Sequence, residues 1–172
     1  MKLKSKYRPE LICSRDATRM VLTNANLGFV KGKQCLVATD GKRLLVLPVE
    51  GEQLEKENGP VPREALKLAR EKRPSRKQDV VSIVLNGKCE LENGWTLPRP
   101  TQEDMKYPNV EQVIPTPSSM DQKISFNARF LWEIAQALGV EHVILTHNPG
   151  GAITVTSPHE EAYAVLMPMR YE

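Results

Sequence analysis

The sequence predicts an α+β fold in which antiparallel sheets carry helices on one face. Three observations lead there. Short apolar runs are joined by the turn dipeptides Asp40-Gly41, Asn86-Gly87 and Asn93-Gly94, which mark hairpins. Two stretches, REALKLAREKR and ARFLWEIAQAL, have the composition and spacing of helices. Each of them is followed by apolar runs in antiparallel meander order, so the helix–βββ unit repeats and its helices lie on one face of the sheet.

In chain order, residues 1–18 are polar and irregular, with at most a short strand near Leu11 to Cys13. RMVLTNANLGFV, from Arg19, reads as a strand and is punctuated by Lys31-Gly32-Lys33. QCLVATD is a second strand. Asp40-Gly41 is expected to make a tight turn with positive φ at both positions, and KRLLVLPVE is a third strand. GEQLEKENGP is polar and reads as a loop. Pro62 suits a first helical turn, where its missing N–H is harmless, and Pro74 ends the helix that follows. VVSIVLNGKCELENGWTLP contains strands separated by the two Asn-Gly turns. Residues 98–120 are proline-punctuated and read as a linker with one short extended piece. KISF is a strand and Asn127 an N-cap. Leu131, Ile134, Ala135 and Leu138 give the second helix one apolar face, and Gly139 closes it. VEHVILTH, AITVTS and EAYAVLMPM are the last strands. The implied organisation is an N-terminal segment (1–18), a unit of partial βββ plus helix–βββ (19–100), a linker (101–120) and a β–helix–βββ unit (121–172).

Composition narrows the function. Of 172 residues 40% are hydrophobic and 26% charged, near the values of globular proteins. With 5% aromatics, the core must rest on aliphatic side chains. No apolar run approaches the ~20 residues that span a bilayer, and no apolar stretch follows the lysines of MKLKSKYRPELICSRD, so no membrane partner and a cytoplasmic location are expected. Cys13, Cys35 and Cys89 are odd in number and form no CxxC pair; they read as buried free thiols. The net charge of +3 permits contact with nucleic acid without arguing for it.

Catalytic chemistry has no carrier. Gly150-Gly151 reads as a turn rather than a phosphate loop. His142, His147 and His159 lack metal-ligand spacing with cysteines or carboxylates, and on one strand a separation of five would send His142 and His147 to opposite faces. Ser118-Ser119 lies in a proline-rich loop without a nucleophile elbow. Glu160-Glu161 reads as a turn or strand edge. The expectation is a binding protein without catalytic, cofactor or metal site.

Three ordered segments carry a family resemblance. VATDGKRLL (37–45), Tyr107-Pro108-Asn109-Val110 through Val113-Ile114-Pro115, and the C-terminal YAVLMPMR resemble the VATDGxRLA, YPxxxxVIP and MPMR signatures of the bacterial DNA sliding clamp. VPREALKLARE is similar to the clamp helix VPRKxxLELxR. The resemblance covers roughly residues 19–172 and implies a DNA-clamp-like fold. It departs in two places. Residues 1–18 stand where the first unit would open with a helix, and the first unit of the last clamp domain is missing, so one chain would not encircle duplex DNA.

The matching segments surround the clamp's pocket for the clamp-binding motif of polymerases and repair proteins. Carried over by position, together with RMVLTN, whose Leu22 matches the leucine of the family's RxxLNG strand, they imply a peptide site of Leu22, Thr39, Gly41, Lys42, Arg43, Leu44, Pro115, Val165, Met167, Pro168, Met169 and Arg170. Met167 and Met169 could mould to varied apolar anchors, while Arg43 and Arg170 would meet polar groups or carboxylates at the rim. A strand end and hairpin that simply form core is the plain alternative. Lys42 departs from the family's usual histidine. For double-stranded DNA, bound without sequence preference, the candidates are Arg63, Lys67, Arg70, Arg73 and Lys77 on and beyond the first helix; a solvated helix face is the alternative. Two functional readings stay open: a clamp-like protein that assembles as a homo-oligomer around DNA, and a non-ring module that competes with a full-length clamp for partners or acts as an adaptor.

Overall fold

The computed structural model describes all residues except 51–54, 102, 104, 116–123, 148–150, 159–160 and 170–172. Ser118, Ser119, His159 and Glu160 therefore lie outside the described residues, as do Gly150 and Arg170.

Three strands open the central sheet: β2 (Asn24–Val30), β3 (Lys33–Thr39) and β4 (Arg43–Pro48). Almost every residue of β3 and β4 is buried, so these strands are covered on both faces. The rest of the chain comprises β1 (Lys2–Lys4), β5 (Gly59–Pro62), α1 (Arg63–Glu71), β6 (Val80–Leu85), β7 (Lys88–Leu91), β8 (Thr96–Pro98), α2 (Ala128–Leu138), β9 (Ile144–His147), β10 (Ile153–Thr156) and β11 (Tyr163–Leu166). They form a seven-stranded sheet in the order β5-β2-β3-β4-β11-β10-β9 and a four-stranded sheet β1-β6-β7-β8. All ladders are antiparallel; Leu44 faces Val165 where β4 meets β11, so the C-terminal strand joins the first hairpin directly.

Alternation along the central strands sorts their side chains. Leu36, Ala38, Leu45, Leu47, Ala164 and Leu166 enter the main core together with Ala65, Leu66 and Ala69 of α1 and Ile134, Ala137 and Leu138 of α2. Cys35, Val37, Leu44, Val46 and Val165 point the other way, beneath Tyr107, Val110 and Ile114 of the linker. Both helices thus share one face, as predicted, and the linker covers part of the other.

Several elements differ from expectation. Ala17–Thr23 is 3-10 helical on either side of a kink at Arg19, with the Asp16 side chain capping Thr18 N, and the strand begins only at Asn24. Residues 1–18 hold a strand at Lys2–Lys4, where pairing with β6 supplies the partner that sequence cannot show, and a 3-10 turn at Pro9–Leu11 instead of a strand near Leu11–Cys13. The end of the expected GEQLEKENGP loop enters β5. The linker contains a 3-10 turn at Val110–Val113, capped by Asn109 through Glu111 N, not only an extended piece. KISF contributes a single bridge, Ser125 to Met169. His142 precedes β9 rather than sharing it with His147. At Asp40-Gly41 only the glycine has positive φ; the turn with two positive φ values is Lys31-Gly32, at 49° and 78°, which closes the two-residue loop between β2 and β3. The α2 boundaries, the Asn127 cap and the left-handed Gly139 stand as predicted.

The N-terminal segment packs against both helices. Tyr7, Ile12 and Cys13 are buried, and Arg8 N donates to Ala137 O at the end of α2. Burial pushes the Cys13 thiol up to about 12 and the Cys89 thiol to about 11, so both are protonated at neutral pH, in keeping with buried free cysteines.

Candidate functional site

The candidate pocket begins with the Asp40–Arg43 loop. Thr39 Oγ1 donates to Arg43 O at 2.7 Å and accepts from Gly41 N at 3.0 Å. Asp40 Oδ1 accepts from the backbone N–H groups of Lys42 and Arg43 at 2.9 and 3.2 Å, a turn chemistry suited to aspartate. Gly41 is left-handed, at φ 87°, and a Cβ there would stand 3.2 Å from Arg19 Nη1. Met167 N donates to Lys42 O at 3.2 Å, so the loop and the end of β11 are tied together.

Between them lies an apolar cavity of about 200 Å³. Eight of the twelve residues proposed from sequence line it: Leu22, Thr39, Gly41, Lys42, Arg43, Leu44, Val165 and Met167. Pro115 and Pro168 are half-buried outside it, and Met169 is 57% exposed, its N–H donating to Ser125 O. Arg170 lies outside the described residues. The remaining wall comes from the linker, through Pro108, Asn109, Val110 and Val113. Sequence reasoning took only Pro115 from that stretch. The signal for the others is the Asn109 cap followed by Val110 and Val113, three residues apart and so on one side of a 3-10 turn. Tyr107 fixes the linker from beneath, its hydroxyl donating to Val37 O at 3.4 Å; burial pushes its phenol pKa upward.

Arg43 does not present a free guanidinium at the rim. It is 8% exposed. Its Nε donates to Asp40 Oδ2 at 3.1 Å, Nη2 to Leu11 O at 3.2 Å and Nη1 to Glu133 Oε2. The group also stands over the Phe130 ring, 4.9 Å from its centroid, a favourable place for a cation. Burial favours protonation of Glu133, but its hydrogen bonds and charge contacts with Arg43 and Arg129 outweigh that and hold its carboxyl below the ordinary range. Lys42 is exposed, and its Nζ lies 5.8 Å from the same ring.

The basic stripe of α1 is turned largely inward. Arg63 Nε donates to Glu10 O at 2.8 Å. Arg70 grips Glu10 Oε1 through Nε and Nη2 at 3.0 and 2.8 Å, and Glu10 is only 3% exposed. Arg73 donates to the carbonyls of Arg70, Ser75 and Arg76, closing the end of the helix. Lys67 is half-exposed and Lys77 exposed. Of the five DNA candidates, three are therefore engaged inside the chain. No group of three or more metal-ligating side chains occurs among the described residues, and no helix among them is long and apolar enough to cross a membrane.

No protein-family model matches the sequence, nor does any curated protein. Solved structures do match. The sliding clamp (DNA polymerase III subunit beta) from Bartonella birtlesii, bound to griselimycin, superposes with a TM-score of 0.74 at 18% identity, over 99% of this chain and 66% of that one. The DNA polymerase III beta chain from Streptococcus pneumoniae gives 0.75 at 15%, over 99% and 64%. The subunit from Borrelia burgdorferi, in complex with a natural product, gives 0.74 at 14%, over 100% and 64%. The chain spans about two thirds of the length of the structures it matches. At these identities the likeness is one of fold, and it agrees with the sequence segments that first suggested it: the chain has the fold of the bacterial DNA sliding clamp in a shortened form.

Proposed function

We propose that this protein is a binding protein, not an enzyme, and that the cavity between the Asp40–Arg43 loop, β11 and the linker receives the apolar anchor of a short extended peptide of the clamp-binding kind. The observation that carries this reading is the convergence of three sequence-distant segments on one small apolar cavity with a polar lip. Such a cavity suits one or two apolar side chains. Leu44 and Val165 form its floor, each almost fully buried, while Val113 and Met167 remain 47% and 44% exposed at its mouth. A flexible methionine at the mouth can adapt to different anchors. Partners would be polymerases or other replication and repair proteins bearing that motif.

Of the two open readings, the non-ring module is favoured. The helix stripe that would face duplex DNA is covered in part by the N-terminal segment, with Arg63 and Arg70 bound to Glu10. Neutralising phosphates requires several free cations together.

The test is an anisotropy titration with a labelled QLxLF-type peptide against the wild-type chain, Val113→Asp and Met167→Ala. Both positions are exposed, so the fold should tolerate the changes. Saturable binding weakened about tenfold or more by Val113→Asp, and less by Met167→Ala, is expected for anchor contacts. Absence of binding, or binding indifferent to both changes, would refute the proposal.

A further inference from the structure

Strand pairing follows a rule inside this chain. Two units each open with a strand, run through helical turns and continue into a meander: β1, the 3-10 turns and β2–β4; then β5, α1 and β6–β8. Each lead strand leaves its own meander. β1 pairs with β6, the first strand after α1, and β5 pairs with β2, the first strand after the 3-10 turns. The two units thus complete each other by exchanging lead strands, both antiparallel, while Arg70 of α1 grips Glu10 of the Pro9–Leu11 turn between them.

The third unit has the same order but no such mate among the described residues. Its lead segment, Ile124–Phe126, makes one bridge there, from Ser125 to Met169. Main-chain groups of alternate residues point to opposite edges of an extended segment, so those of Ile124 and Phe126 point away from Met169. The first strand after the helix, β9, pairs with β10 and ends the seven-stranded sheet. Its Ile144 and Leu145 are 49% and 42% exposed. Leu145 lies opposite Val155, a residue of the main core, and so on the helix-bearing face. Beside it α2 has an uncovered flank. Glu133 is turned toward β4, where it meets Arg43. Leu131 and Ala135 lie about 160° from Glu133 around the helix, on the side of β9, and both are only half-buried. Trp132 is next to them and 62% exposed. The opposite edge of the sheet is finished differently: β5 contains Pro60 and Pro62, and Arg99 Nε donates to Pro60 O at 2.7 Å. Such devices blunt a strand edge; β9, with the sequence ILTH, contains no proline, lysine or carboxylate.

We infer that the mate of this third unit is the same unit of a second copy of this chain. The two copies pair about a two-fold axis: Ile124–Phe126 of each adds antiparallel to β9 of the other, and the Leu131 and Ala135 flanks of the two α2 helices meet. One copy carries both the spare lead segment and the uncovered edge, so an identical partner satisfies both at once. Neither Ile124–Phe126 nor Ile144–His147 contains Lys, Arg, Asp or Glu, so the exchange sets no like charges opposite each other. A contact that uses the same surface on both copies closes at two; the product is a dimer and neither a fibre nor a larger ring. The inference stands apart from the peptide reading, because β10 separates β9 from β11, where the proposed pocket begins at Val165.

Sedimentation equilibrium of the full chain at concentrations up to about 100 µM should give twice the chain mass, and Ile144→Lys and Leu145→Asp should each raise the dimer dissociation constant about tenfold or more. Both positions are exposed and outside the peptide pocket, so both variants should keep the wild-type far-UV circular dichroism. A second measurement needs no variant. In an equimolar mixture of isotopically labelled and unlabelled chains, filtered nuclear Overhauser contacts should connect Ile124–Phe126 of one copy with Ile144–His147 of the other. A chain that stays monomeric at the top of that concentration range would overturn the inference and leave the edge to an unlike partner or to solvent. A dimer whose intermolecular contacts lie elsewhere, a dimer that both substitutions leave unchanged, or association that continues beyond two copies would overturn it as well.

Discussion

The guanidinium of Arg43 is held by Asp40, Glu133 and Leu11 O and stacked on the Phe130 ring. Replacing it by Ala would leave Asp40 and Glu133, which are 18% and 13% exposed, without their shared cation; the expected loss is about 3 kcal/mol of stability, read as a lower urea midpoint. Lysine would not rescue it, because one ammonium cannot replace the planar fork. Glu133 carries a pH signature. Its carboxyl sits below the ordinary carboxylate range in the folded chain, so its contribution to stability is present above the unfolded value near 4.5 and is lost as pH falls through the folded value. Thermal melts should show that acid-side loss in the wild type and a shallower one in Glu133→Gln. Sequence shows such charges but not their partners. Arg63 and Arg70 read as a phosphate stripe because Glu10, 53 and 60 residues away, gave no local sign of meeting them. Arg43 was likewise expected at a rim, although its partner Glu133 is 90 residues distant.

At the scale of elements, local chemistry was legible and pairing was not. Helix α2 follows from its own residues: the Asn127 side chain accepts from Arg129 N at 3.0 Å, and Gly139 N closes onto Ala135 O and Gln136 O. Strands β1 and β5 exist through their neighbours β6 and β2, and the prolines of GPVP hid the second. The resemblance segments revealed β3, β4, β11 and the linker together, and with them most of the pocket. The linker's own contribution was missed because its 3-10 turn breaks the extended pattern. Gly139 makes a specific test of how the N-terminal segment docks. A Cβ there would lie 2.8 Å from Lys6 Cβ and 2.9 Å from Lys6 O, at a φ of 71°. Gly139→Ala combines left-handed strain with overpacking and should cost about 2–4 kcal/mol, measurable by chemical denaturation; a neutral result would mean that the segment is not seated on α2.

The whole molecule is joined by two devices. One is the continuous sheet, in which β4 pairs with β11 across a long stretch of chain. The other is the N-terminal segment, which adds β1 to the small sheet, places Glu10 against α1 and meets the end of α2. Removing residues 1–14 would withdraw the buried Leu3, Tyr7, Ile12 and Cys13, worth about 5–10 kcal/mol of apolar burial. That is comparable to the whole stability of an ordinary domain, about 5–15 kcal/mol. The truncated chain should therefore lack a cooperative calorimetric transition; a normal melt would show that the segment is dispensable.

The apolar pocket as a peptide site is tested most directly by mapping the footprint of a bound QLxLF-type peptide on the amide spectrum of the isotopically labelled chain. The account predicts saturable shifts clustered on Leu22, Thr39–Leu44, Asn109–Val113 and Val165–Met167. Shifts concentrated on α1 and the Glu10 turn, or an unchanged spectrum at saturating peptide, would contradict it.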